Sequence, residues 1–169
     1  TFGIALTLVI IAGSELFTGH TMFLTLGVKA GTISHGQMWA ILPQTWLGNL
    51  VGSVFVALLY SWGGGSLLPV DTSIVHSVAL AKTTAPATVL FFKGALCNWL
   101  VCLAIWMAIR TEGAAKFLAI WWCLLAFIAS GYEPSVANMT LFALSWFGHH
   151  SEAYTLSGIG HNLLWVTLG

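Results

Sequence analysis

The chain has 169 residues, 58% of them hydrophobic and only 6% charged, with five Lys+Arg against five Asp+Glu and a mean hydropathy of +0.91. A soluble domain would be about a quarter charged, and a chain without net charge has no field to draw nucleic acid or a charged surface. An integral membrane protein remains, with the lipid bilayer as its first partner and no nucleic-acid role.

The apolar runs, in chain order, are Phe2 to Val28, Met38 to Trp62, Pro86 to Ile109, Phe117 to Phe147 and Leu156 to Gly169. Apolar runs of about 20 residues read as membrane-spanning helices. The last run is about 14 residues, short of a bilayer of roughly 30 Å. The chain also begins inside an apolar run with no flanking charge. Both ends are therefore expected to be cut, with a helix missing before Thr1 and the end of one after Gly169. Between the second and third runs, "VHSVALAK" reads as a short amphipathic helix at the membrane surface.

If the spans alternate, Lys29, Arg110 and Lys116 share one face, against Lys82, Asp71, Glu152 and the pair His149–His150 on the other. The positive-inside rule assigns the first face to the cytoplasm. Trp39, Trp62 and Trp146 near span ends suit interfacial belts. Cys97, Cys102 and Cys123 lie inside apolar runs without CxxC spacing and read as small buried hydrophobes. No metal site and no cofactor is expected.

Two runs are interrupted. The first reads "AGSELFTGHTMFLTL", with Ser14, Glu15, Thr18, Gly19, His20 and Thr21 breaking it. The fourth reads "ASGYEPSVANMTLFAL", where Gly131 and Pro134 oppose a helix and Glu133 is costly away from water. Broken backbone at membrane depth is tolerated where protein or a water-filled path satisfies it. Interrupted segments at corresponding places in two halves point to a midplane transport site. Ser14, Ser130 and Ser135 read as packing residues. Glu15 and Glu133 read as functional groups or as braces for the half-helix ends. His20 fits a titrating group, a hydrogen-bond donor or a solvated loop residue. Lys93 fits a snorkelling side chain or a subunit interface, and His76 and His161 fit lone structural histidines.

The pieces "AGSELFTGHTM", the lysine of "ALAK" followed by "FFKGALCNWLVCLAIWMA", "GYEPSVANM" and "HNLLWVTLG" resemble the formate/nitrite transporter family over essentially the whole chain, closest to its nitrite-channel branch. The resemblance implies an all-α, aquaporin-like bundle of six transmembrane helices, two of them interrupted in an inverted repeat, within a single channel domain over residues 1–169. It implies a homopentamer in a bacterial inner membrane with one pore per protomer. It implies a pathway for small monovalent anions, nitrite first and formate or another small monocarboxylate as the alternative, permeating passively or with a proton. On the matching positions, Lys82 resembles a vestibule lysine that draws anions in. Glu133 and Asn138 resemble a polar frame at the midpoint, with Thr18, Asn98 and His20 along the path. Leu16, Phe17 and Thr18 resemble the loop of the first broken helix, and Phe2, Leu6, Val101 and Phe127 resemble apolar constrictions. One position departs: where the family has a histidine after the acid, this chain has Pro134, which offers neither charge nor donor.

Other classes leave weaker traces. A haem-carrying membrane subunit would need paired axial histidines, and His20, His76 and His161 lie in scattered contexts. An intramembrane protease would need a nucleophile and a base, for which "SGIGH" offers Ser157 and His161 on one segment. Paired NPA motifs of a water channel are absent.

Overall fold

The computed structural model describes residues 2–64, 74–148 and 150–169, with side chains from residue 4 onward. Every regular element among them is an α-helix: α1 (Phe2–Ala12), α2 (Phe17–Lys29), α3 (His35–Trp62), α4 (Ile74–Thr83), α5 (Ala87–Arg110), α6 (Gly113–Ala129), α7 (Ser135–Phe147) and α8 (Leu156–Leu168). Asp71 and His149 lie outside the described residues. At 1.5 Å per residue, α3 and α5 are about 42 and 36 Å long, enough to cross a bilayer. Among the described residues they are also the two single helices long and apolar enough to do so, and α1 with α2 makes a third span bent by 45° at its break.

The helix boundaries have local causes. α3 begins at His35 rather than at the expected Met38, because Ser34 and Gln37 form a reciprocal cap: Ser34 N–H donates to Gln37 Oε1 at 2.8 Å and Gln37 N–H to Ser34 Oγ at 3.2 Å. Both interrupted runs stop in the same way. Gly13 (φ 71°) and Gly131 (φ 65°) adopt the left-handed conformation that favours glycine. The residue after each closes the turn five residues back, Ser14 N–H on Val9 O and Tyr132 N–H on Phe127 O. The chain then runs extended through Leu16 and Pro134, which cap α2 and α7.

The first break is shorter than its polar content suggested. Thr18, Gly19, His20 and Thr21 are helical, and the polar hydroxyls are satisfied within the helix, that of Thr21 donating to Thr18 O at 2.7 Å and that of Thr25 to Thr21 O at 2.6 Å. Ser14 and Ser130, expected to pack, are exposed at the turns, while Ser135 is buried.

The residues form two compact units. One comprises residues 1–49 and 96–132, the other residues 50–95 and 133–169. The core of the first joins Leu6 of α1, Cys97, Val101, Ala104 and Ile105 of α5 and Phe127 of α6. In the second, α4 packs on α7 and α8 and α7 packs on α8. Close approach there depends on glycine: a Cβ at Gly94 would stand 2.5 Å from Val166 O, and one at Gly158 would stand 2.8 Å from Thr83 Cβ. α4 buries His76, Ala79 and Thr83 and exposes Ile74, Val75 and Val78. Large apolar side chains such as Trp99, Trp121, Trp122 and Leu125 stay exposed, as suits helices bathed in lipid.

Candidate functional site

The second unit contains a closed polar ring in apolar surroundings. Glu133 sits in the extended stretch one residue before the N-cap of α7 and is 5% exposed. Its carboxylate faces the N-terminal end of a helix, where the backbone dipole favours negative charge. Lys82, in the last turn of α4, donates through Nζ to Glu133 Oε2 in an ion pair. Asn138 Nδ2 donates to the same oxygen at 2.7 Å and to Asn162 Oδ1 of α8 at 2.9 Å. Asn162 Nδ2 donates to Lys82 O at 2.9 Å, which closes the ring. The break itself is held by Glu133 N–H on Lys93 O at 3.4 Å and Asn138 N–H on Pro134 O at 2.9 Å.

The ring has a chemical consequence. A lysine ammonium has three donors, of which Glu133 takes one. The Lys82 side chain is 17% exposed, so it is not fully sealed from its surroundings. Glu133 balances the Lys82 charge, and its Oε2 is occupied by both Lys82 and Asn138. The sequence expectation separated Lys82, at a vestibule, from Glu133 and Asn138, at a midpoint. In the structure Lys82 and Asn138 both donate to the same Glu133 oxygen.

The first unit carries its own polar set. Glu15 has the same register relative to Leu16 as Glu133 has to Pro134, yet its side chain is 71% exposed. It pairs with His20 through Nε2, and His20 Nδ1 lies 2.9 Å from Thr45 Oγ1. Asn49 staples the break from α3, accepting Phe17 N–H at 2.9 Å and donating to Glu15 O at 3.0 Å. Buried Thr18 presents its carbonyl to the Thr21 hydroxyl and, at 3.7 Å, to the Cys102 thiol. Asn98 Nδ2 donates to Thr21 Oγ1 at 3.1 Å, so Asn98 reaches Thr18 through Thr21.

Of the apolar constriction candidates, Leu6, Val101 and Phe127 are buried in one cluster against which Leu16 packs. Phe17 is half-buried in the first turn of α2; with Thr18 it is helical rather than part of the loop. The side chain of Phe2 lies outside the described residues. His161 Nε2 lies 3.2 Å from Ala85 O in the stretch between α4 and α5, and Ser157 bonds its neighbour Thr155, so the two do not pair with each other. Asn162 and Asn49 escaped the sequence reading, and Thr21 is named there only as one of the residues breaking the first run. Their signal was present, an uncharged polar residue within an apolar helix, but many such residues only join helices.

The profile of the family described as formate/nitrite transporter matches residues 1–169. The chain is 98% identical over its full length to a protein of Salmonella typhimurium named nitrite transporter NirC, and 94% identical to one of the same name from Escherichia coli K12. It spans 63% of the length of each. It is 32% identical over 99% of its length to a Bacillus thuringiensis protein named formate channel BtFdhC. A solved structure described as an FNT family ion channel superposes with a TM-score of 0.97 at 98% identity, covering 99% of this chain and 68% of that one. The glycine-turned breaks, the lysine–glutamate–asparagine ring and these likenesses agree: the chain is a membrane protein of the formate/nitrite transporter family.

Proposed function

We propose that the chain forms the anion path of a nitrite channel in a bacterial inner membrane, assembled as a homopentamer in which each protomer conducts. The observation that carries the reading is the Lys82–Glu133–Asn138–Asn162 ring, which sits beside a helix break with the Lys82 side chain still partly exposed. The names of the relatives at 98 and 94% identity support nitrite as the anion.

The energetics follow from charge burial. A small anion entering an apolar slit loses its water, which is prohibitive for an unpaired charge. Lys82 lowers that cost by offering N–H groups and a positive field where water thins out. The cluster of Leu6, Val101 and Phe127, with Leu16 and Phe17 beside the first break, makes the apolar constriction. Such a constriction favours a dehydrated species, so a proton joining nitrite en route would ease its passage. Thr18, Asn98 and His20 are the polar path candidates of the first unit, and Glu133 and Asn138 are those of the second. Pro134 supplies no proton, so proton linkage falls to His20 or to water. No covalent chemistry is required.

Flux from proteoliposomes tests the reading, with nitrite, formate and chloride compared at one pH. Nitrite permeation that falls at least severalfold in Lys82→Met, with pentamers intact by native mass spectrometry, is the expected result. Nitrite flux equal to that of empty liposomes would overturn it. Formate is the second reading, favoured by the relative named as a formate channel, and faster formate than nitrite flux would select it.

A further inference from the structure

α4 is only ten residues long, yet it carries Lys82 in its last turn. The opposite end of α4 is held by a group with no place in the anion path. His76 is 6% exposed and stands six residues before Lys82, about 9 Å along the helix. Its Nδ1 lies 2.8 Å from Ser145 Oγ of α7, and its Nε2 lies 3.3 Å from Ser151 Oγ in the stretch between α7 and α8. Ser151 N–H also donates to Nε2, at 3.4 Å.

That last bond decides the tautomer. A backbone N–H can only donate, so Nε2 is an acceptor and carries no proton. The ring proton is on Nδ1 and is donated to Ser145 Oγ. Tyr154, 2% exposed, closes one flank of the ring edge-on at 5.5 Å between centroids, and its hydroxyl donates to Phe142 O at 3.0 Å. The imidazole is thus oriented by bonds at both nitrogens and by a ring contact, a degree of definition that simple packing of a short helix does not need.

We propose that His76 is a positioning residue for Lys82: as the neutral Nδ1–H tautomer it clamps α4 to α7 and to the α7–α8 connection, and so sets the register at which the Lys82 ammonium meets Glu133. α4 is a lever with two attachments, His76 near its start and the Lys82–Glu133–Asn162 bonds at its end. With the first attachment gone, the short helix can slide or rotate on α7 and α8, and the ion pair opens more often. The functional consequence rests on the reading of Lys82 as an anion donor; the structural consequence does not.

Two readouts separate these levels. The first is acylation of Lys82 by a water-soluble amine-reactive ester on the purified full chain, quantified by peptide mass spectrometry. In His76→Phe, which keeps ring volume and loses the bonds at both ring nitrogens, the Lys82 rate should rise about fivefold, the weight of one buried hydrogen bond, with Lys29 and Lys116 as unchanged internal controls. In His76→Asn, whose amide can still donate toward Ser145, the rise should be smaller. Ser145→Ala, which removes the acceptor with minimal change of volume, serves if His76→Phe does not fold, and should also raise the rate. Equal Lys82 rates in wild type, His76→Phe and Ser145→Ala overturn the proposal.

The second readout is nitrite flux in a double-mutant cycle. His76→Phe should lower flux in the wild-type background and change nothing further in a Lys82→Met background, because its effect passes through the lysine. An equal loss in both backgrounds shows a merely structural histidine and also overturns the proposal. If wild type carries no anion at all, the channel reading fails while the acylation result still decides the role of His76.

Discussion

The ion pair of Lys82 and Glu133 predicts an unusual pattern of stability and flux. Their side chains are 17 and 7% exposed, so removing one partner leaves a charge in surroundings that solvate it poorly. Breaking a buried pair from one side costs about 3–5 kcal/mol, whereas replacing both partners with apolar or neutral groups of similar volume is near neutral. Glu133→Gln should therefore lower stability strongly, since the amide keeps its bond with Asn138 but no longer neutralises Lys82. Lys82→Met should do the same through the uncompensated carboxylate. The double variant should recover most of the loss, at about 2–4 °C per kcal/mol for a chain of this size, so that singles melt roughly 10 °C below wild type. Intrinsic tryptophan fluorescence in detergent reads the melting, with flux measured on the same preparations. The double variant should melt like wild type and still conduct poorly, because the donors are gone. Singles that melt like wild type, or a double variant as unstable as the singles, would refute the buried-pair reasoning.

Four further outcomes are expected. Glu15→Gln should change stability by less than about 1 kcal/mol, since its pair with His20 is exposed and screened; a thermal melt beside Glu133→Gln checks the contrast. Gly94→Ala forces a Cβ to 2.5 Å from the Val166 carbonyl, and overpacking of this kind costs about 1–3 kcal/mol, which size-exclusion profiles and melts will show. Pro134→His should introduce a step in nitrite flux between roughly pH 6 and 7, while the Pro134 form shows none there in liposomes scanned from pH 5 to 8. Burial pushes the Tyr154 phenol up from its usual range. Its contribution is therefore complete below about pH 10 and is lost as pH rises above that value, so an alkaline melt should show a stability loss that Tyr154→Phe lacks.

The sequence by itself determined the class and the two interruptions. Long apolar runs with few charges admit no other solvent than lipid, and "ASGYEP" and "AGSELF" each carry a glycine that ends a helix beside an acid. Those are local properties, written in consecutive residues; the turn at Gly131 forms as read, and Gly13, not singled out in the sequence, makes the matching one. Tertiary structure alone decided what the acids do. Glu15 and Glu133 occupy one register and look interchangeable in sequence, yet one is exposed beside His20 and the other is buried against Lys82, 51 residues earlier in the chain. The partners that complete the ring, Asn138 and Asn162, are 24 residues apart, and the clamp from His76 to Ser145 spans 69. Such bonds depend on which helix faces which. Helix periodicity leaves that open when a helix is apolar all round, and only packing through glycines such as Gly94 and Gly158 selects one face to be buried.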